Sequence, residues 1–574
     1  MFALPRSSWA DYDAKLISKG GGVFARSLKE IPLSPQVRAV LGIENPTIDP
    51  DLLMHAILSA QVDLLWFGGI GTYVRGSGEN NMAVGDPAND AIRLAASELR
   101  AKVIGEGANL GTTQAGRIEF ALAGGRINTD FIDNSAGVDC SDNEVNIKIA
   151  LASARRAKRI TLPARNALLE SMTDAVGAIV LEDNRLQALA LSIAQAGGAK
   201  ATPSYTRLIE QLEDRGSLDR KTEGLPDNDT LARRAADGAG LTRPELAVLL
   251  SSVKLALQSE IEASALPADP GLSDELLAAF PPAMRKRFKG DILRHRLAHE
   301  IVATRVANRI VNRMGPIHPF ELAEEEGTSL GHVATAFVAA ERLFDLRAVW
   351  AALDQSAMPE SARVLLFDRA AATLADHIAD LIRASRPGER ASRQVAQLAP
   401  AVGKLATQTP KLLNAEGRAQ AARMLDDFAR AGAPPEAAGM VARLFDMDGA
   451  IGLARLARDS KTDPLALTRA FTDLGAKLGL DWAQMTAARM SPSDPWERLL
   501  VAGLARDFQQ VRLEFLARHA KDKSPAECVH AWAEKHADAV RAFRSLVGRA
   551  QAATPVAPTM LAQIASQARN LLGR

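Results

Sequence analysis

The sequence predicts a two-part protein, with an α/β segment that forms a parallel sheet and then a large, mostly α-helical region. From about residue 61 to residue 145, short apolar runs alternate with helical patterns in the order β-α-β-α-β-α. Short connections in this order are typical of a parallel sheet with right-handed crossovers. After about residue 150 the strand signals stop. The aromatic fraction is only 5%, and abundant Ala and Leu favour helix.

The composition excludes several classes of function. The chain has 574 residues, and its 69 Lys and Arg nearly balance its 68 Asp and Glu. A general nucleic-acid or anionic-membrane binder needs a basic surplus, so neither partner is expected. No apolar run of about 18 residues predicts a membrane span. Two cysteines exclude a disulfide scaffold and a cysteine zinc site, and they fit a reducing cytoplasm.

Three strands are predicted in the α/β segment, each followed by glycine or asparagine. The apolar run over residues 61–67 is the first, the run over 102–104 is the second, and the run over 127–132 is the third. Because ligands bind outside the carboxyl ends of parallel strands, these ends form a candidate site. Glycine allows close approach, and asparagine suits a carboxamide or a ribose hydroxyl. The alternative is that these residues only make tight turns.

The connecting helices are predicted from their capping residues. Asp86-Pro87 opens a helix that carries residues 91–101. Thr112-Thr113 caps a second helix that ends at Gly124-Gly125. Ser141 and Glu144 form a capping box before a long Ala-rich third helix.

The helical region shows its clearest pattern over residues 287–314, where apolar residues recur at helical spacing until Gly315-Pro316. Thr242 and Glu245 form another capping box. These patterns predict three units with linkers between their helices. The units are 1–150, a partial dinucleotide-binding domain, 151–390, a helical region, and 391–574, a C-terminal helical region, and the linkers are 213–240, 266–271 and 384–396.

Other motifs favour structural roles. Residues 20–25 match G-x-G-x-x-A formally, but the run before them is too short for a strand. His295 and His299 share a helix face in a charged stretch, which indicates a solvated face rather than a metal site. Cys140 has no histidine nearby in sequence, so it is not expected to be a nucleophile. No catalytic or metal-binding residue is predicted.

Three segments make the sequence recognisable, and two more extend the likeness over essentially the whole chain. They resemble the C-terminal portion of the large NAD-specific glutamate dehydrogenases of bacteria. The segments are RIEFALAGGRINTDFIDNSAGVDCSDNEVNIK, VDLLWFGGIGTYV and KVIGEGANLGTTQ, with LPRSSWADYDAKLISKGGGVFARS at the start and LRHRLAHEIVATRVANRIVNRMGP in the helical region. The resemblance implies that the α/β segment is the nicotinamide half of a Rossmann-type sheet.

The resemblance also implies site residues. Asn109 would contact the nicotinamide ribose, and Asn134 would hold the carboxamide region of the cofactor. The backbone at Gly68 and Gly69 would run alongside the ribose on the adenine side of the cofactor. Ser141 would bind the side-chain carboxylate of the substrate, and an anion suits the helix start expected there. The alternative is that Ser141 only caps the helix.

The implied reaction is NAD-dependent oxidative deamination of L-glutamate to 2-oxoglutarate and ammonia. In the family, the catalytic lysine, the catalytic aspartate and the glycine-rich turn precede the region that this sequence resembles. We therefore expect a truncated chain that is inactive alone. One alternative is a non-catalytic assembly or regulatory module, in which the helical region joins copies of the chain into a homo-oligomer. Another is a protein of the same architecture that has no activity.

Overall fold

The structure, a computed structural model, describes residue 4 and residues 6–413, 415–490, 492, 494–519 and 524–573. The strands lie in the first 106 residues. They are β1 (Ile31–Pro32), β2 (Thr47–Ile48), β3 (Leu64–Phe67), β4 (Val74–Arg75), β5 (Leu94–Ala95) and β6 (Val103–Glu106). The helices of the same segment are α1 (Pro35–Leu41), α2 (Pro50–Leu58), α3 (Asn81–Val84), α4 (Gln114–Leu122) and α5 (Asp130–Asp133).

The strands pair two by two. β3 and β6 are parallel, with Phe67 opposite Glu106, and β4 and β5 are also parallel. β1 and β2 are antiparallel. Single parallel bridges at Thr112 and Arg126 extend the two parallel pairs. The predicted parallel pairing is therefore present, but over the described residues it forms small two-stranded sheets rather than a recognisable Rossmann half.

Two predicted elements of this segment are wrong. Residues 91–101 form no α-helix, because Leu94 enters β5 beside Tyr73 and the buried Arg93 donates to the carbonyl of Thr72 at 2.8 Å. Residues 127–132 form no strand. The chain makes a single bridge at Arg126 and then turns into α5. The helix at Thr113 is as predicted, since the Thr113 hydroxyl accepts from the amide of Gly116 at 3.1 Å.

The rest of the described chain is helical. The helices up to residue 314 are α6 (Ser135–Arg156), α7 (Leu162–Ser171), α8 (Thr173–Ala196), α9 (Thr202–Asp214), α10 (Asn228–Ala236), α11 (Arg243–Glu262), α12 (Ser273–Ala278), α13 (Pro282–Arg285), α14 (Lys289–Leu293) and α15 (Ala298–Met314). Those that follow are α16 (His318–Glu325), α17 (Leu330–Leu343), α18 (Leu346–Gln355), α19 (Glu360–Ala384), α20 (Ala391–Leu412), α21 (Ala415–Arg430) and α22 (Pro435–Asp446). The last are α23 (Ala450–Ser460), α24 (Pro464–Leu478), α25 (Leu480–Arg489), α26 (Pro495–His519), α27 (Pro525–Lys535), α28 (Ala537–Gln551) and α29 (Pro558–Leu572).

These helices share one continuous apolar core that runs from Ile132 to Leu572. α11 packs along α15, and α17 packs against both α19 and α20. A separate small core under the parallel strands contains Phe67, Ile104 and Phe120. The predicted unit boundaries at 150 and 390 stay predictions.

The start of α11 was predicted correctly, whereas the single helix predicted over residues 287–314 is wrong. The Glu245 carboxylate accepts from the amide of Thr242 at 2.6 Å, so α11 begins at the predicted capping box. Residues 287–314 are not one helix, because the chain breaks between α14 and α15. At the break, the His295 ring lies 3.1 Å from the carbonyl of Asn146 and accepts from the amide of Leu297. The predicted linker 213–240 also contains a helix, α10.

Candidate functional site

The ends of two parallel strands bring the predicted cofactor residues to one edge of the fold. Gly68 and Gly69 directly follow β3, and the loop of residues 107–112 directly follows β6. Because Phe67 and Glu106 are paired in register, both loops leave the same carboxyl edge of the pair. This is the edge at which ligands bind in parallel sheets.

The two asparagines predicted to hold the cofactor contact each other. The side-chain amide of Asn134 donates to Oδ1 of Asn109 at 3.0 Å, although the two residues are 25 positions apart. Nδ2 of Asn109 and Oδ1 of Asn134 have no hydrogen bond within the described structure. The pair can therefore offer a ligand one donor and one acceptor. The position of Gly69 is open, with no heavy atom within 4 Å of where a Cβ would lie.

A buried ion-pair network holds the loop that carries Asn109. Arg117, on α4, binds both oxygens of Glu106, with Nε 2.7 Å from Oε2 and Nη2 2.9 Å from Oε1. Its Nη2 also lies 3.1 Å from Asp130. Asp130 in turn accepts from the amide of Leu110, and Glu106 accepts from the amide of Thr112. The middle and the last residue of the loop are thus each held by a carboxylate of the network.

This network was missed by the sequence analysis. Burial raises the pKa of Glu106, and the Arg117 guanidinium and the Thr112 amide oppose this shift. The Leu110 backbone is left-handed, with φ of 59°, although it is not glycine. The signal in the sequence was a glutamate at the end of a short apolar strand, since a carboxylate buried there needs a partner.

Trp66 changes the interpretation of two glycines. A Cβ at Gly105 would lie 2.5 Å from the indole of Trp66, and a Cβ at Gly107 would lie 2.4 Å from it. The indole therefore occupies the space that these glycines leave. Their bare backbone makes room for a tryptophan, whereas the sequence alone suggested room for a ligand.

A polar tether joins the strands to the helical region. Asp133 accepts from the amide of Glu106 at 3.0 Å and from Asn128 at 2.6 Å. Asn128 then accepts from the guanidinium of Arg243, the first residue of α11, and this guanidinium also donates to Ser192 on α8 at 3.1 Å. This chain of bonds fixes α5, and with it Asn134, to the helices behind the strands.

Ser141 was predicted to begin its helix, and this prediction is wrong. α6 begins at Ser135, and Asn134 is the residue before it. Ser141 lies in the second turn, where its hydroxyl donates to the carbonyl of Gly137 at 3.4 Å. Ser141 is exposed and lies seven residues after Asn134, which immediately precedes the helix.

An acidic group lies on the same stretch of α6. Burial and the neighbouring carboxylates Asp183 and Asp142 together raise the pKa of Asp139 to about 6. Asn143 donates to Asp139 at 2.9 Å and acts in the opposite direction. The Asp139 side chain therefore keeps its proton to a higher pH than an ordinary aspartate does.

The remaining motifs of the sequence are the triple glycine, the two histidines and Cys140. The triple glycine at residues 20–22 lies in a loop with no strand before it in the described chain. His295 is buried, which corrects the expected solvated face, whereas His299 is exposed. Cys140 is exposed on α6. Within the described ranges, no group of three His, Cys, Asp or Glu side chains could hold a metal ion.

A helix that crosses a bilayer must be both long and strongly apolar. Over the described residues, not one helix combines a span of at least 18 residues with sufficient apolar character.

Known proteins match nearly the whole chain. Residues 1–194 match the family described as bacterial NAD-glutamate dehydrogenase, catalytic domain, and residues 238–570 match glutamate dehydrogenase, C-terminal. The NAD-specific glutamate dehydrogenase of Pseudomonas aeruginosa is 39% identical over 566 residues, which is 96% of this chain and 35% of that protein. The proteins of the same name from Halomonas elongata and Mycobacterium tuberculosis are each 36% identical over 95% of this chain and 34% of their own length.

The chain spans about a third of the length of the curated relatives it matches. The second family match alone covers more than half of the chain and lies within the helical region. The first covers every predicted site residue. By these matches, the chain belongs to the bacterial NAD-specific glutamate dehydrogenase family.

Proposed function

We propose that this chain is part of an enzyme that oxidises L-glutamate to 2-oxoglutarate and ammonia with NAD, and that it forms the nicotinamide edge of the site. The observation that supports this most directly is the contact between Asn109 and Asn134 at the carboxyl edge of β3 and β6. The names of the relatives give the reaction class. Bound NAD would supply a hydride acceptor, and the protein would supply binding and orientation.

The chemistry of the asparagine pair fits a nicotinamide. A carboxamide needs one donor and one acceptor from the protein, and a ribose hydroxyl needs either. The atoms of the pair that remain without a hydrogen bond are Nδ2 of Asn109 and Oδ1 of Asn134. The network of Glu106 and Arg117 fixes the loop of Asn109, so little side-chain or loop entropy would be lost on binding. Gly68 and Gly69 would border the ribose on the adenine side.

Ser141 would bind the side-chain carboxylate of the substrate through its hydroxyl. Only the first four backbone N–H groups of a helix lack an intrahelical acceptor, and Ser141 is the seventh residue of α6. Its backbone is therefore committed to the helix. Its hydroxyl makes only a long bond to Gly137, so it can turn to a carboxylate at small cost.

These residues orient the reactants and exclude alternative poses, but they transfer no proton. In the described structure, no lysine hydrogen-bonds Asn109, Asn134 or Ser141. We therefore assign no catalytic residue in this chain. A charged group that polarises the substrate would have to come from outside the set of residues named here.

The proposal is tested by NAD affinity in the 574-residue protein, measured by calorimetry or thermal shift. We expect Asn109→Ala and Asn134→Ala each to weaken NAD binding about five- to thirtyfold, since each removes a hydrogen bond to the ligand worth ~1–2 kcal/mol. Asn166→Ala, at an exposed position of α7, is the matched control. Unchanged affinity in both site variants would refute the proposed cofactor edge.

We also propose that copies of the chain associate through the helical region and that the protein is cytoplasmic. Leu181 on α8 and Leu255 on α11 support association, because they are 71% and 67% exposed on otherwise well-packed helices. The low cysteine content, two in 574 residues, supports a reducing compartment. Light scattering on the whole chain tests association, and a monomer at high concentration would contradict it.

A further inference from the structure

A polar cavity lies within the helical region. It has a volume of about 590 Å³ and is lined by side chains of α8, α15 and α18. Metabolite-sized ligands occupy cavities of this size. Five arginines line it, and they are Arg185, Arg305, Arg309, Arg313 and Arg347.

Four of these arginines already have carboxylate partners. Arg185 and Arg313 both pair with Asp354, at 3.1 Å and 2.7 Å. Arg309 pairs with the buried Glu275 at 2.8 Å, and Arg347 pairs with the same carboxylate. These four charges are compensated within the protein, so they form the wall of the cavity rather than its binding group.

Arg305 is the exception. It makes no ion pair within 4 Å and no hydrogen bond in the described part of the chain, and its Nε is buried without a partner. Burial lowers the pKa of Arg305, and repulsion by Arg309 acts in the same direction before the weaker attraction of Asp183. Arg305 is half-buried, and a guanidinium whose Nε is shielded from solvent without a direct counter-ion is costly, so an anion in the cavity would lower that cost.

A second group points to the character of the ligand. Oδ1 of Asn312, on the same helix, is buried and has no hydrogen-bond partner, although its residue is only 3% exposed. An oxygen of this kind accepts from a hydroxyl or an amine. The stacking of Arg313 on Trp350 closes an apolar side of the cavity.

We propose that this cavity binds a small organic oxyanion, a carboxylate or a phosphate ester, whose charged group contacts Arg305 and whose hydroxyl or amino group contacts Asn312. The site shares no residue with the proposed cofactor edge, and it does not depend on the proposed reaction. Asp183 also lines the cavity. Its carboxylate repels negative charge, so it excludes ligands that are anionic on every side and orients the anionic group of the ligand away from itself.

The test is the thermal stability of the whole chain in phosphate or malonate against chloride at the same ionic strength. We expect phosphate or malonate at 10–50 mM to raise the Tm by a few degrees, since binding to the native state alone stabilises it. Arg305→Gln should abolish this rise, and Arg296→Gln, at an exposed position just before α15, should keep it. The anion that gives the larger shift separates the phosphate from the carboxylate class.

Two outcomes overturn the proposal. One is no anion-dependent shift in the unchanged protein, and the other is an equal shift in Arg305→Gln, which would show a general salt effect. If Arg305→Gln does not fold, Asp183→Asn provides a separate test. Removal of the competing carboxylate should lower the apparent Kd of the anion several-fold, and an unchanged Kd would also refute the site.

Discussion

Arg117 and Glu106 form a buried ion pair directly beneath the loop that carries Asn109, with Nε of the arginine 2.7 Å from Oε2 of the glutamate. The Glu106 side chain is fully buried and the Arg117 side chain is 5% exposed. A buried pair of this kind does little for net stability, but the loss of one partner leaves a charge without compensation. The pair therefore fixes the position of the loop and makes it sensitive to single changes.

The first prediction concerns this pair. Arg117→Met should lower the free energy of unfolding by about 3–5 kcal/mol at pH 7.5, because Glu106 would remain buried and charged. Urea unfolding measures this change. The double variant Glu106→Gln with Arg117→Met should lose much less, and Arg156→Met, at an exposed position, should be nearly neutral. A double variant as unstable as the single one would contradict the explanation.

The second prediction uses the pH dependence of Asp139, whose pKa is raised to about 6 by burial and by Asp183 and Asp142. A carboxyl with a raised folded pKa holds its proton longer when folded, so its ionisation costs stability as pH rises from about 4 to 6. Asp139→Asn should therefore stabilise the protein at pH 7.5 and have little effect at pH 4. Thermal melts across this range measure the difference, and Asp174→Asn on α8 is an exposed control.

The third prediction concerns Lys254 on α11. Burial lowers its pKa to about 7, while Asp183 opposes the shift, and its amine donates to Gln187 at 3.3 Å. The cost of burying the ammonium is complete below pH 7 and disappears between pH 7 and about 10.5. Lys254→Met should thus stabilise the protein most at pH 6 and progressively less at pH 8–10. A gain that did not change with pH would show that packing, not charge, was responsible.

The fourth prediction is that the chain assayed alone produces little or no NADH from glutamate and NAD. The reason is that we find no lysine hydrogen-bonded to Asn109, Asn134 or Ser141 in the described structure. NADH formation at 340 nm measures the activity, with buffer lacking glutamate as the control. Steady glutamate-dependent turnover by the purified chain would show that a catalytic group is present among residues to which we assign no role.

Local sequence signals were sufficient where backbone capping decides the structure. Thr113 and Thr242 start their helices as predicted, because each cap is completed within four residues of sequence. The strands β3 and β6 were also found, since each is a short apolar run followed by glycine, although Leu64 and Trp66 of β3 are exposed. The contact of Asn109 with Asn134 depends instead on α5, which stands where a third strand was predicted and ends beside Asn134.

The errors arise where a side chain is recruited by a distant partner. Arg93 is drawn into a buried position by Thr72, Asp86 and Asp90, which prevents the predicted helix there. His295 bonds to Asn146, 149 positions earlier, and this bond accompanies the break between α14 and α15. The bonds to Thr72 and Asn146 depend on the assembled fold, so no window of neighbouring residues could have revealed them, whereas the pair of Arg93 with Asp90 is local.

The continuous apolar core has a consequence for any attempt to dissect the protein. Because buried side chains from Ile132 to Leu572 belong to one cluster, a cut anywhere between them exposes apolar surface on both pieces. Shortened versions of the helical region should aggregate on expression, whereas small internal insertions at the polar turn of residues 386–390 should be tolerated. Deletion mapping would therefore be a poor way to separate the roles of the two parts, and point substitutions are the better tool.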